Sequence, residues 1–165
     1  MKTRNPRPRL RVELTAADRF LEWIGAGILL FLIGFSVFVY LHLPEIIPTH
    51  YDLHGQTDAN GSKTSIFTLP LVALVLFVGM SILNQYPHNF NYLTEITPEN
   101  APQQYKNATQ MIRIAKLCIV LIFSLIAVST YLVANHYIEN LTIWLVPVVL
   151  LLSFAPLVWF IGRHA

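Results

Sequence analysis

The sequence predicts an all-α integral membrane protein: four transmembrane helices, both termini inside, a short extracytoplasmic loop motif and an inner amphipathic helix. Three observations carry this. Of 165 residues, 55% are hydrophobic and only 12% charged, about half the ~25% of an ordinary soluble domain. The apolar residues gather into four runs, each close to the ~20 residues that cross a bilayer. Basic residues are spread unevenly between the connections. Mean hydropathy is +0.54.

Residues 1–23 form a basic tail with Lys2, Arg4, Arg7, Arg9, Arg11 and Arg19. The first span, 24–43, is longer than the ~7–15-residue apolar core of a signal peptide and lacks a small-x-small cleavage site, so it reads as an anchor. Gly27 and Gly34 are seven apart and share one face, where small residues admit a neighbouring helix. The second span is 66–83, the third 117–134 and the fourth 141–161. Apart from His42 at the edge of the first, none holds Asp, Glu, Lys, Arg or His. Pro70, Pro147 and Pro156 fall in spans two and four and could kink them.

Direction follows from Lys and Arg. With alternating spans, ten of the eleven basic residues fall on one side, and only Lys63 on the other. The positive-inside rule makes the crowded side cytoplasmic. Trp23, Tyr86 and Trp159 then mark the inner boundary, and Tyr40, Tyr131, Tyr137 and Trp144 the outer one. A bacterial inner membrane is the expected location.

The outer loop, 44–65, has the most distinctive polar chemistry. Pro44 and Pro48 favour extended backbone before them. Gly55 and Asn60-Gly61 signal turns, and Ser62 or Ser65 could cap the second helix. An extended arm, a tight reversal and a helix start are expected. On an extended strand His50, Asp52 and His54 would share a face, which would suit zinc with Asp58 as a fourth ligand. The reading preferred here is structural or partner contact, with no metal or other cofactor. Ligand-facing candidates are His50, Asp52, His54, Asp58 and Lys63. Pro44, Pro48, Gly55, Gly61 and Ser62 build the loop.

The inner connection, 84–116, is polar and then helical. Asn100 reads as an N-cap with Gln103 three residues on, a capping box. Tyr105, Ala108, Ile112 and Ala115 recur at helical spacing. Tyr92, Asn100 and Tyr105 are the candidate contacts for a cytoplasmic partner. The alternative is a helix extension packed on the bundle's own base. Cys118, the single cysteine, excludes an intrachain disulfide and reads as a buried thiol.

Leu43-Pro44, Ile47-Pro48-Thr49-His50-Tyr51, Gly55, Asp58 and Gly61-Ser62-Lys63 resemble the pattern of a bacterial membrane family known mainly as a domain of unknown function. Asn91-Tyr92, Ile96-Thr97-Pro98-Glu99-Asn100-Ala101 and Tyr105 continue the resemblance, which covers roughly residues 24–130 and implies a membrane module over 24–134. The same module occurs in the immunity protein against the SDP killing-factor toxin. The resemblance implies a helical membrane fold, resistance to a membrane-active peptide and capture of a transcriptional repressor at the membrane. That protein is longer, with further spans after the module.

These readings point to a non-enzymatic sensor or immunity-type protein, meeting a membrane-active peptide outside and a cytoplasmic protein inside. An accessory subunit of a transporter is the alternative. Apart from His42 at the edge of the first, the spans hold no Asp, Glu, Lys, Arg or His, the groups that ion pathways keep there. There is no His-Glu-x-x-His or Gly-x-Ser-x-Gly motif for an enzyme, and no catalytic residue is assigned. The formal net charge of +2 is too small to suggest a nucleic-acid partner.

Overall fold

The computed structural model describes residues 7–52, 54–139 and 145–162. The expected start of the fourth span at Leu141, Trp144 and the basic residues Lys2, Arg4 and Arg163 lie outside these. The described chain runs α1 (Ala16–His42), β1 (Ile46–Tyr51), β2 (Thr57–Ser62), α2 (Thr68–Leu83), α3 (Ala101–Ala134) and α4 (Leu145–Gly162). The four helices are long and apolar enough to cross a membrane, α2 together with the 3-10 turn Lys63–Phe67 before it. The all-α expectation is corrected in one place. The outer loop folds back as an antiparallel hairpin, β1 on β2.

Helix α1 begins eight residues before the apolar run. Thr15 starts it with a capping box: its hydroxyl accepts from the Asp18 backbone N–H at 3.1 Å, while Asp18 accepts from Thr15 N–H at 2.9 Å. This satisfies two of the donors a helix start leaves orphaned. The 34 residues of α3 make it ~51 Å long, well beyond a ~30 Å hydrocarbon core. The excess of ~21 Å is about four turns, so α3 begins well before its membrane-spanning part. The Asn100 side chain does not cap α3. It turns back to the preceding loop, accepting from Thr97 N–H at 2.9 Å and donating to the Glu95 carbonyl at 2.9 Å. Pro70 falls in the first turn of α2, where no intrahelical donor is lost, and among the described residues Pro156 stands well inside a helix.

Helix α3 is the hub. It packs on α1, α2 and α4, and it reaches β1. One apolar core joins Leu29, Leu32 and Val39 of α1, Ala73 of α2, Val120 and Ala127 of α3, and Ile47 of the hairpin. A smaller one joins Val133 of α3 and Leu145 at the start of α4, with Tyr51 of β1 against them. The outer faces of α2 and α4 remain apolar and exposed, as at Val75, Leu151 and Val158. Lipid tails are the solvent those faces require.

Candidate functional site

At the hairpin end, the strands pair Ile46 with Ser62, Ile47 with Gly61 and Pro48 with Asn60, and the register shifts around His50. Ile47 is 1% exposed and locks the hairpin into the core. The shift brings His50 Nδ1 to 2.6 Å from Asp58 Oδ1. Lys63 Nζ lies 2.9 Å from Glu45 Oε1 and 5.0 Å from the centre of the Tyr40 ring. Three of the expected ligand-facing residues thus have side-chain partners on the hairpin, His50 and Asp58 with each other near the turn and Lys63 with Glu45 at the base of the strands.

The other two build the turn. One Asp52 carboxylate oxygen accepts from the backbone N–H groups of His54 and Gln56, both at 2.8 Å, the local bonding that makes Asp a turn residue. Asp52 and His54 lie beyond the end of β1, so the shared-face argument for zinc fails. Among the described residues, no group of three or more His, Cys, Asp and Glu is placed to hold a metal ion. Gly55 has φ 78°, a backbone that glycine adopts without strain. Gly61 approaches Thr49 so closely that a Cβ would lie 2.9 Å from its methyl. Ser62 caps the 3-10 turn through Thr64 N–H at 3.4 Å, not α2 itself. Pro44 is exposed just after α1, and Pro48 stands within β1.

At the opposite end, which carries the N-terminal tail, the expected partner contacts turn inward. Tyr105 is fully buried, and its hydroxyl donates to the Pro8 carbonyl at 3.0 Å. Tyr92 donates to the Pro87 carbonyl at 2.9 Å, and its ring lies 5.7 Å from that of Tyr105. Burial pushes the Tyr92 phenol well up from its ordinary range, so it stays a donor. Arg7 closes the arrangement: its Nη1 donates to the carbonyls of His88 at 3.2 Å and Phe90 at 2.6 Å, and its guanidinium lies over the Tyr92 ring. The amphipathic start of α3 therefore packs on the protein's own base. Tyr92, Asn100 and Tyr105 serve that packing.

Just above lies an ionic cluster that the reading by spans misses. Lys116 is 2% exposed. Its ammonium donates to Glu22 Oε2 at 2.6 Å and to Ser81 Oγ at 2.7 Å, and it lies 4.5 Å from the Phe77 ring centre. The Ser81 hydroxyl in turn donates a hydrogen bond to the Phe77 carbonyl at 2.7 Å. Arg113, also buried, faces Asp18 Oδ1 at 3.6 Å and Glu22 Oε1 at 3.4 Å. Two cations of α3 thus meet two carboxylates of α1, with α2 supplying a hydroxyl. The signal was present: Asp18 and Glu22 are four apart and Arg113 and Lys116 three apart, each pair on one helix face. Thr15-Ala16-Ala17-Asp18 likewise matches the capping signature that places Asp18 and Glu22 on a helix. Beside the cluster opens a cleft of about 980 Å³, lined by Arg9, Arg11, Glu22, Asn84, His88 and Arg113 among others.

Residues 27–74 match the model of a domain of unknown function, DUF1648. That stretch runs from α1 through the hairpin into α2. An uncharacterized protein of the archaeon Archaeoglobus fulgidus is 31% identical over 65 residues, 34% of this chain and 36% of that protein. The chain therefore matches about a third of the length of this curated relative. No solved structure matches. The family match thus covers the hairpin and the adjoining parts of α1 and α2, and no residue of the ionic cluster lies within it.

Proposed function

We propose that this multi-helix membrane protein is a non-enzymatic sensor or immunity-type protein whose hairpin meets a membrane-active peptide. The observation that carries the reading is the hairpin's two-sided character. Ile47 roots it in the core shared by α1, α2 and α3, whereas β2 is exposed over Asp58, Ala59 and Asn60. The β1 side is backed by α3, so the edge left open is that of β2. An open strand edge offers backbone donors and acceptors to an extended peptide, and nearby charges supply selectivity. His50, Asp58, Glu45 and Lys63 stand beside it. The likeness of residues 27–74 to a domain of unknown function centres on this same feature.

In this reading the hairpin faces outward and the tail end faces the cytoplasm of a bacterial-type plasma membrane, an orientation that the Lys and Arg distribution supports. The test is survival of a sensitive bacterium expressing the wild type or the His50→Ala, Lys63→Ala double variant, challenged with a panel of membrane-active peptides at equal protein levels. Protection lost in the variant is the expected result. Wild-type cells that die like cells lacking the protein would sink the reading. A transporter accessory subunit is the second reading, favoured by the Lys116–Glu22 pair between helices, since such groups often mark ion pathways. Their mutual pairing weighs against it.

A further inference from the structure

We propose that the cleft at the tail end is a binding site for a phosphate group, in the form of an anionic phospholipid headgroup. Charge is the first argument. Glu22 lines the cleft, but its two oxygens are already engaged, Oε2 by Lys116 at 2.6 Å and Oε1 by Arg113 at 3.4 Å. The cluster of Asp18, Glu22, Arg113 and Lys116 is therefore balanced. Arg9 and Arg11 line the same cleft, and among the described residues neither has an ion pair. The cleft is consequently lined by two arginines with no carboxylate partner among the described residues, and a guanidinium is the group best shaped to grip a phosphate through paired N–H bonds.

The second argument is fixation. A basic tail waving in solvent is a poor site, because ordering it on binding costs conformational entropy. Here the strap bearing Arg9 and Arg11 is clamped at both ends. Arg7 and Pro8 are bound to the connection and to Tyr105, and Thr15 is locked into the capping box of α1. The third is an unsatisfied interior. Arg113 is 6% exposed, lines the cleft, and its Nε has no hydrogen-bond partner; its carboxylate neighbours stand at ion-pair distance only. A phosphate in the cleft would add a third anion to face the arginines.

Position selects the lipid. Leu10 and Leu14 of the strap are 40% and 47% exposed, and Trp23 and Tyr86 are exposed at the same end. Apolar side chains beside the arginines suit an amphiphile whose acyl chains run along the bundle, and anionic lipid draws such basic segments. A free phosphate shares the headgroup chemistry but gains nothing from Leu10 and Leu14.

The test uses the purified full chain in neutral detergent and follows its thermal midpoint by tryptophan fluorescence. It is titrated separately with short-chain phosphatidylglycerol, short-chain phosphatidylcholine and inorganic phosphate. The wild type is expected to respond saturably to phosphatidylglycerol. The exposed double variant Arg9→Ala, Arg11→Ala should lose on the order of tenfold or more in apparent affinity. The pair Arg19→Ala, Lys106→Ala, off the cleft lining, should keep the wild-type response. A saturable response to inorganic phosphate with the same arginine dependence supports the phosphate site and makes the free anion its ligand. The proposal is overturned if the wild type shows no saturable response. It is equally overturned if phosphatidylcholine acts as well as phosphatidylglycerol, or if both variants behave alike.

Discussion

Lys116 is the residue on which the tail end turns. Its ammonium is buried, and three different helices hold it: its own α3, α1 through Glu22 and α2 through Ser81. Removing one partner of such a pair leaves an uncompensated charge, which costs about 3–5 kcal/mol in buried settings. Lys116→Ala is expected to lower the stability of the bundle toward the lower end of that range. Arg113 remains near Glu22 Oε1 at 3.4 Å and would take up part of the charge. Reversible unfolding in mixed micelles measures the difference. A loss as small as that of the exposed Lys106→Ala would mean the ion pair is not formed. Hydroxyls elsewhere follow a simpler rule. Ser124 and Ser153 donate to the carbonyl four residues back, at 2.7 and 2.8 Å, and so are satisfied within their own helices.

Among the elements, the hairpin departs most from what hydropathy foretells. Alternation of apolar and polar residues is broken in β1 by Pro48, and β2 is Thr-Asp-Ala-Asn-Gly-Ser, a run low in strand propensity. The pairing comes from tertiary support: Ile47 is drawn into the core, and Asp52 closes the turn. Neither could be read from period alone, although the reversal at Gly55 could. The helices were far more legible, because a ~20-residue apolar run has few alternatives. What hydropathy could not show was where each helix starts, since capping residues and buried ion pairs lie outside its signal. The candidate site divides in the same way. His50, Asp58 and Lys63 were visible as polar chemistry in a loop, whereas Asp18, Glu22 and Arg113 lie outside the apolar runs that hydropathy marks. Gly61→Ala tests the hairpin directly. Its new methyl would meet Thr49 at 2.9 Å and disturb the Thr49 hydroxyl's bond to the Ala59 carbonyl. A cost of about 1–3 kcal/mol is expected from overpacking, reduced if the Thr49 side chain rotates away. The checks are the thermal midpoint and hydrogen exchange at residues 57–62, which should quicken in the variant.

For the molecule as a whole, the two ends differ in kind. The hairpin end is acidic, with Glu45, Asp52 and Asp58 against Lys63, and edged by a free strand; the tail end is basic, clefted and strapped. Orientation can be measured with a Cys118→Ala background carrying one new cysteine, at exposed Asn60 or exposed Lys106. An impermeant maleimide is expected to label Asn60→Cys on intact cells and Lys106→Cys only after the membrane is opened. The reverse pattern would invert the orientation proposed above and remove the basis for an outward-facing hairpin.

The central place of α3 bears on how the protein is made. Both α1 and α2 precede α3 in the chain, yet each leans on it, and the charges of Asp18 and Glu22 find their partners only when residues 113 and 116 arrive. During synthesis the earlier helices must therefore wait in the bilayer with unmatched carboxylates at its edge. Arg7, older in the chain than any helix, reaches its acceptors at His88 and Phe90 only later. Assembly is thus ordered by arrival: Arg7 can be fastened once residues 88–90 are made, whereas α1 and α2 wait for α3, which acts as the keystone.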